Sequence, residues 1–150
     1  DIQSNTVKCG SNPSLIWMCS TLLLTKYDIS TKDKEMSYIE FVDMILDILG
    51  FRKNNVGTRF LREFVIYLYK KNPFEIIINN EIEEFLNERN ITELTVINFI
   101  KRINYAIQYA DNTKMKDNFF NIFHTQFDSY YLTPKTFIIL ILNVLEKDKN

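Results

Sequence analysis

The sequence predicts an all-α fold: a compact, single-domain bundle of about seven helices, with the C-terminal helix, about Pro134 to Glu146, at its centre. Three observations lead there. Apolar residues recur at helical spacing along most of the chain. Each proline follows a capping residue: Pro13 follows Asn12, Pro73 follows Asn72 and Pro134 follows Thr133. Proline at the first helical position sacrifices nothing, because that N–H has no partner inside the helix. Finally, one phrase recurs three times, as Met36-Ser37-Tyr38-Ile39-Glu40-Phe41-Val42, Leu94-Thr95-Val96-Ile97-Asn98-Phe99-Ile100 and Leu132-Thr133-Pro134-Lys135-Thr136-Phe137-Ile138. It reads as a helix start, with a hydroxyl that caps the first turn and an apolar residue before it that packs on the Phe.

The first helix is expected from about Pro13 to Lys26, with Leu15, Met18, Cys19, Leu22 and Leu23 on one face. Ser37 is expected to cap a second over Tyr38 to Leu49, with Ser37-x-x-Glu40 as a capping box and Gly50 as its left-handed stop. Arg52 to Gly57 reads as a polar turn. A third helix, about Thr58 to Lys71, carries Phe60, Leu61, Phe64, Val65, Leu68 and Tyr69. Asn72-Pro73-Phe74-Glu75 reads as the start of a fourth, capped by Asn72. Within it, the β-branched run Ile76-Ile77-Ile78 also suits a short extended piece, whereas Glu81 to Arg89 reads as helix.

Val96 to Ala110 has the cleanest stripe: Val96, Phe99, Ile100, Ile103, Ala106, Ile107 and Ala110. A sixth helix, about Thr113 to Gln126, is expected to place Phe119, Phe120, Phe123 and Phe127 inward. The seventh, Pro134 to Glu146, is apolar nearly all round, hence its expected central position. Residues 1–11 read as a loose N-terminal segment and 147–150 as a charged tail. No linker divides the chain.

With 150 residues the chain can bury one substantial core. Its 20 Ile and 16 Asn, against 2 Ala, 3 Gly and 3 Pro, match the codon usage of an A/T-rich genome, such as that of a virus or a parasite. The net charge of −1 argues against an overall nucleic-acid or membrane-surface binder. The longest dense apolar run, Phe137 to Leu142, falls far short of the roughly 20 residues that a transmembrane helix needs. The compartment is not fixed, with the cytoplasm favoured over secretion. Cys9 falls in an expected loop and Cys19 on the apolar face of the first helix, where a buried thiol is the simplest role. A Cys9–Cys19 disulfide would require an oxidising compartment.

The residues that carry chemistry are sparse. His124 is the only imidazole and has no hydroxyl or thiol nucleophile motif beside it. The pairs Glu83/Glu84 and Glu35/Glu40 read as solvated helix faces. Three scattered glycines make no phosphate loop. The expectation is a non-enzymatic protein with no catalytic residues, no cofactor and no metal site. Asn90-Ile91-Thr92 matches the glycosylation acceptor pattern.

Charge is uneven. From Phe51 to Lys71 lie Arg52, Lys53, Arg59, Arg62, Lys70 and Lys71 against Glu63 alone, while Glu75 to Arg89 holds Glu75, Glu81, Glu83, Glu84 and Glu88 against one Arg. Neighbouring antiparallel helices that complement each other account for this pattern. The alternative is a basic face for RNA or acidic lipid, with Tyr67 and Tyr69 as stacking surfaces.

The stretch from Tyr27-Asp28 through a polar loop to Met36 and Glu40 resembles an EF-hand, and Phe127-Asp128 followed by Leu132-Thr133 echoes it. The loop from Asp28 to Glu40 has 13 positions rather than 12 and lacks the turn glycine. The resemblance therefore implies a degenerate, metal-free, light-chain-like protein that clasps a helix.

The leading functional expectation is a non-catalytic helical interaction module, an adaptor or inhibitor, whose partner is another protein and could be an amphipathic helix. The degenerate light chain and the RNA- or acidic-lipid-binding domain are the alternatives. The expected partner contacts flank the second and third helices: Tyr38, Arg59, Arg62 and Tyr67.

Overall fold

The computed structural model of the protein describes residues 31–148, with side chains described over 37–147. Six α-helices and a 3-10 turn occupy that span: α1 (Thr31–Ile48), α2 (Val56–Lys71), α3 (Ile78–Glu88), α4 (Val96–Gln108), α5 (Asn112–Phe123), the turn Ser129–Tyr131, and α6 (Pro134–Asp148). No strand occurs among the described residues, in agreement with the expected class. The helix expected over Pro13 to Lys26, both cysteines, Pro13 and the segment 1–11 lie outside the described residues.

The helix starts divide into two kinds. Thr95 caps α4 by accepting from the Asn98 N–H at 3.1 Å, and Thr133 receives the Thr136 N–H at 3.4 Å ahead of Pro134, both as the recurrent phrase requires. Asp111 caps α5 through Thr113 and Lys114, and Asn55 caps α2 through Gly57. The first copy of the phrase behaves differently. Ser37 is buried inside α1, which already runs from Thr31, so it caps nothing. The polar run before it, Thr31 to Glu35, holds no Gly or Pro and includes the helix formers Lys32, Lys34 and Glu35, so the helix starts there and passes through Ser37. The EF-hand-like loop is lost with that start, because 31–40 is helical backbone.

Asn72 also takes the opposite role to the one expected. It ends α2 in the left-handed conformation, φ 49°, with its N–H on the Leu68 carbonyl at 2.8 Å. Pro73 thus follows a stop rather than opening a helix, the other place where proline is common. Helix α3 starts at Ile78 behind Ile77, which offers no side-chain cap. At the far end, α6 continues to Asp148, so half of the expected 147–150 tail is helical.

Among the described residues, helix α2 rather than the C-terminal helix holds the centre. It packs against α1, α3, α4 and α6, whereas α6 packs against α2, α4 and α5 and leaves Ile139 partly exposed. Two features of α2 explain this. Its buried residues Leu61, Phe64, Val65, Ile66, Leu68 and Tyr69 cover most of its circumference. In addition, Gly57 lets its first turn touch another backbone. A Cβ there would lie 1.9 Å from the Arg102 carbonyl oxygen and 3.0 Å from the Ala106 Cβ.

Two aromatic clusters fill the core. Phe60 stacks on Phe99 at 5.1 Å, and Phe64, Tyr67 and Phe85 complete a group shared by α2, α3 and α4. Phe119 meets Phe123, Phe127, Tyr131 and Phe137 in a second group between α5, the 3-10 turn and α6. Phe120, expected inward, is 46% exposed. Phe119 takes the inward position in the second cluster, and Phe120, about 100° further round the helix, falls outside it. Helix α5 stops at Phe123, and His124 forms its left-handed cap, φ 56°.

Gly57→Ala is expected to destabilise the protein by more than about 2 kcal/mol in urea unfolding, because α2 and α4 must part to admit the methyl group. An ordinary helix-interior Gly→Ala change stabilises by up to about 1 kcal/mol, so the sign of the change is the test.

Candidate functional site

Two surface depressions flank the N-terminal turn of α2. On one side, the end of α1 and the start of α2 enclose a cleft of about 260 Å³. Leu46, Phe51 and Thr58 are its buried lining residues, Asp43 and Asp47 come from α1, and Lys53, Arg59 and Arg62 complete it. The corner is well fixed. Gly50, φ 91°, ends α1 with the Phe51 N–H on the Leu46 carbonyl at 2.9 Å. The Gly50 carbonyl in turn accepts from the Asp111 N–H at 2.8 Å, and Asn118 Nδ2 donates to the Ile48 carbonyl.

On the other side, Asn55, Val56, Gly57, Arg102, Tyr105 and Tyr109 line a shallower depression of about 400 Å³. Tyr105 and Tyr109 are 54% and 62% exposed, with ring centroids 6.4 Å apart. Arg52 Nε donates to the Tyr109 carbonyl at 2.9 Å, which pins the end of α4 beside the α2 corner.

The structure does not gather the four expected contact residues. Tyr38 is half-buried and meets the ring of Tyr69 edge-on at 5.2 Å. Tyr67 stacks on Phe64 and meets Phe85 at the other aromatic cluster, far along α2. Only Arg59 and Arg62 share the cleft. Arg62 Nη1 donates to both Asp43 oxygens at 3.2 Å and its Nη2 to Glu63 at 3.2 Å. Arg59 is more open, with Glu63 at 3.9 Å.

The basic stretch between Phe51 and Lys71 is therefore split. Lys53, Arg59 and Arg62 lie at the α1–α2 cleft, and Lys71 lies at the opposite end of α2, where its Nζ donates to Glu81 and Glu84 at 2.7 Å each. Arg89 of the next segment reaches back to Glu63 at 3.1 Å. The ion pairs Lys71–Glu81, Lys71–Glu84 and Arg89–Glu63 are the electrostatic complement between neighbouring helices that the charge pattern allowed.

Sequence reasoning missed Arg102, Tyr105, Tyr109 and Thr58. Arg102 and Tyr105 of α4 and its cap residue Tyr109 were legible as large side chains lying off the apolar stripe. Thr58 carried no such mark, because its burial depends on how α1 meets α2. No group of three or more His, Cys, Asp or Glu is placed to hold a metal among the described residues, and no helix there is long and apolar enough to cross a membrane. Asn90 of the acceptor pattern is exposed at a left-handed turn after α3, φ 57°.

No protein-family model matches the chain, and no curated protein or solved structure matches it significantly.

The far end of α2 has its own electrostatics. Hydrogen bonds to Glu81 and then Glu84 hold the Lys71 ammonium protonated well above its ordinary 10.5. Burial pushes the Tyr67 hydroxyl above its ordinary 10.0, with the nearby Lys71 charge pulling the other way. The stability that Lys71 contributes is complete below 10.5 and is lost as pH rises from there through its folded value. Tyr67 acts in the same direction, since above 10.0 the unfolded tyrosine ionises first. The thermal midpoint is expected to hold through neutral pH and to fall above about pH 10. In a Tyr67→Phe, Lys71→Met protein that alkaline decline should be visibly shallower, and the neutral-pH midpoint lower, because Glu81 is left buried without its cation.

Proposed function

We propose that the chain is a non-catalytic protein-interaction module, an adaptor or inhibitor, whose outer α4 face receives an acidic amphipathic helix of another protein. The observation that carries this reading is the composition of that face. Ile97, Tyr105 and Tyr109 are more than half exposed, and Val56 of α2 is 37% exposed beside them. Positions 97, 101, 105 and 109 follow one another at helical spacing along α4 and its C-terminal cap.

Charge selects the partner. Between residues 96 and 110 the only ionisable acid–base groups besides the two tyrosines are Lys101 and Arg102, and both are exposed. An apposed helix that carries Asp or Glu beside its apolar stripe would match them in sign. Tyr and Arg are also residue types in which binding energy concentrates, and Tyr brings large contact area with little conformational freedom to lose. The depression between α2 and α4 can take one anchoring side chain of such a helix.

The test uses the protein as bait in extracts of its own source, beside a Tyr105→Ala, Tyr109→Ala version. The expected partner is lost from the double variant, cross-links through Lys101, and contributes an acidic helical segment at that cross-link. Truncating a central tyrosine should weaken binding by about 2 kcal/mol, roughly thirtyfold. A partner that is retained by the double variant and cross-links elsewhere would refute the assignment of this face.

A further inference from the structure

We propose that the segment from Pro13 to Lys26, which lies outside the described residues, packs back on the bundle and covers Phe74 and Ile77. These two side chains form the barest apolar surface among the described residues. Phe74 is 108% exposed, as open as in an unfolded chain, and Ile77 is 51% exposed three residues on. Both belong to the connection between α2 and α3, just after the left-handed stop at Asn72. Single exposed apolar residues are ordinary on a protein surface. What singles these out is the part of the chain that leaves the bundle beside them.

Two contacts between α1 and α2 fix where that part begins. Tyr38 meets Tyr69 at 5.2 Å, and Asp43 meets Arg62 at 3.2 Å. Residue numbers rise along one helix as they fall along the other, so the two helices are antiparallel. The start of α1 therefore lies at the C-terminal end of α2, the end from which residues 72–77 lead off. From Tyr38 back to Thr31 the helix rises about 10 Å further. On the same side of Tyr69, α2 has only two residues left before the connection that carries Phe74.

Chain length and composition supply the occupant. Four residues, Tyr27 to Ser30, separate Lys26 from Thr31, and four residues span at most about 14 Å. The segment is thus tethered at the end of the bundle that bears Phe74 and Ile77. Helix–helix connections of this length ordinarily join elements that pack as neighbours. From Cys9 to Thr25 the chain has no Asp, Glu, Lys or Arg, and the expected helix carries Leu15, Met18, Cys19, Leu22 and Leu23 on one face. An apolar face with no charge around it is driven to bury itself. Leu22 and Leu23 lie nearest the tether, so they are the residues that fall against Phe74 and Ile77.

This contact is independent of the α4 face. The test uses the full chain, labelled at Phe rings and at Ile and Leu methyl groups. NOEs are expected between the Phe74 ring and the methyls of Leu22 or Leu23. Mixing labelled with unlabelled chains separates contacts within one chain from contacts between two. Contacts found only between chains would make a second copy the occupant and overturn the proposal. A Phe74 ring with no contact to Leu22 or Leu23 would overturn it equally. Chemical protection gives a second readout. In a Cys9→Ser protein, alkylation of Cys19 should accelerate at least about tenfold when Phe74→Ser and Ile77→Ser are introduced, since burying a Phe and an Ile shifts an opening equilibrium by at least that factor. An unchanged rate would place the segment elsewhere and refute the contact. Unshifted Phe64 and Phe99 ring resonances verify that the bundle stays folded. Should that variant unfold, Leu22→Ser with Leu23→Ser takes its place, with the same acceleration expected.

Discussion

The backbone of α2 touches the backbone of α4 at Gly57 and the Arg102 carbonyl, and this contact sets the distance at which the two helices cross. Everything nearby follows from it. Phe60 and Phe64 can reach Phe99 only because the helices lie that close, and Phe85 of α3 then completes the cluster against both. The same crossing orients the first turn of α2 so that consecutive residues serve different neighbours. Gly57 meets α4, while Thr58 lines the cleft with α1. The two depressions are thus opposite sides of one rigid turn, capped by Asn55.

Polar contacts tie the outer helices to this centre. Asp43, Arg62, Glu63 and Arg89 form a chain of charge from α1 across α2 to the end of α3. Its exposed members contribute little individually. Their value is in register, since Arg62 must sit opposite Asp43 for Thr58 to line the same cleft. Glu81 is a different case. It is 7% exposed, and its burial is tolerable because Lys71 stands 2.7 Å away.

Much of the fold was legible in the sequence, and the failures share a cause. Thr95 and Thr133 were read correctly because each follows a real break in apolar periodicity. Ser37 has the same neighbours in sequence, but the polar run before it is itself helical, and a serine between Met36 and Tyr38 suits a helix interior as well as a start. Asn72 can cap a helix with its side chain or end one with its backbone, and the proline after it is compatible with both. Gly57 read as a turn residue because a glycine required for contact looks identical to one required for flexibility. At the functional surfaces, the apolar stripe of α4 predicted what turns inward and so, by exclusion, exposed Tyr105 and Tyr109. The surroundings of Thr58 and Arg62 arise from the pairing of α1 with α2, which periodicity does not encode.

Helix ends in this chain show how a protein poor in glycine keeps its corners. The left-handed positions after α2, α3 and α5 are occupied by Asn72, Asn90 and His124, residue types that tolerate that conformation at modest strain. Gly50 and Gly57 stand instead where any side chain would strike backbone: at Gly50 a Cβ would come within 2.8 Å of the Asp111 carbonyl oxygen. Asparagine and histidine serve where only the left-handed conformation is needed; Gly50 combines a positive φ of 91° with a close backbone approach, and Gly57 stands for the close approach alone. Among the described residues, the places that admit no substitute are therefore two, and they frame the same short corner from either end.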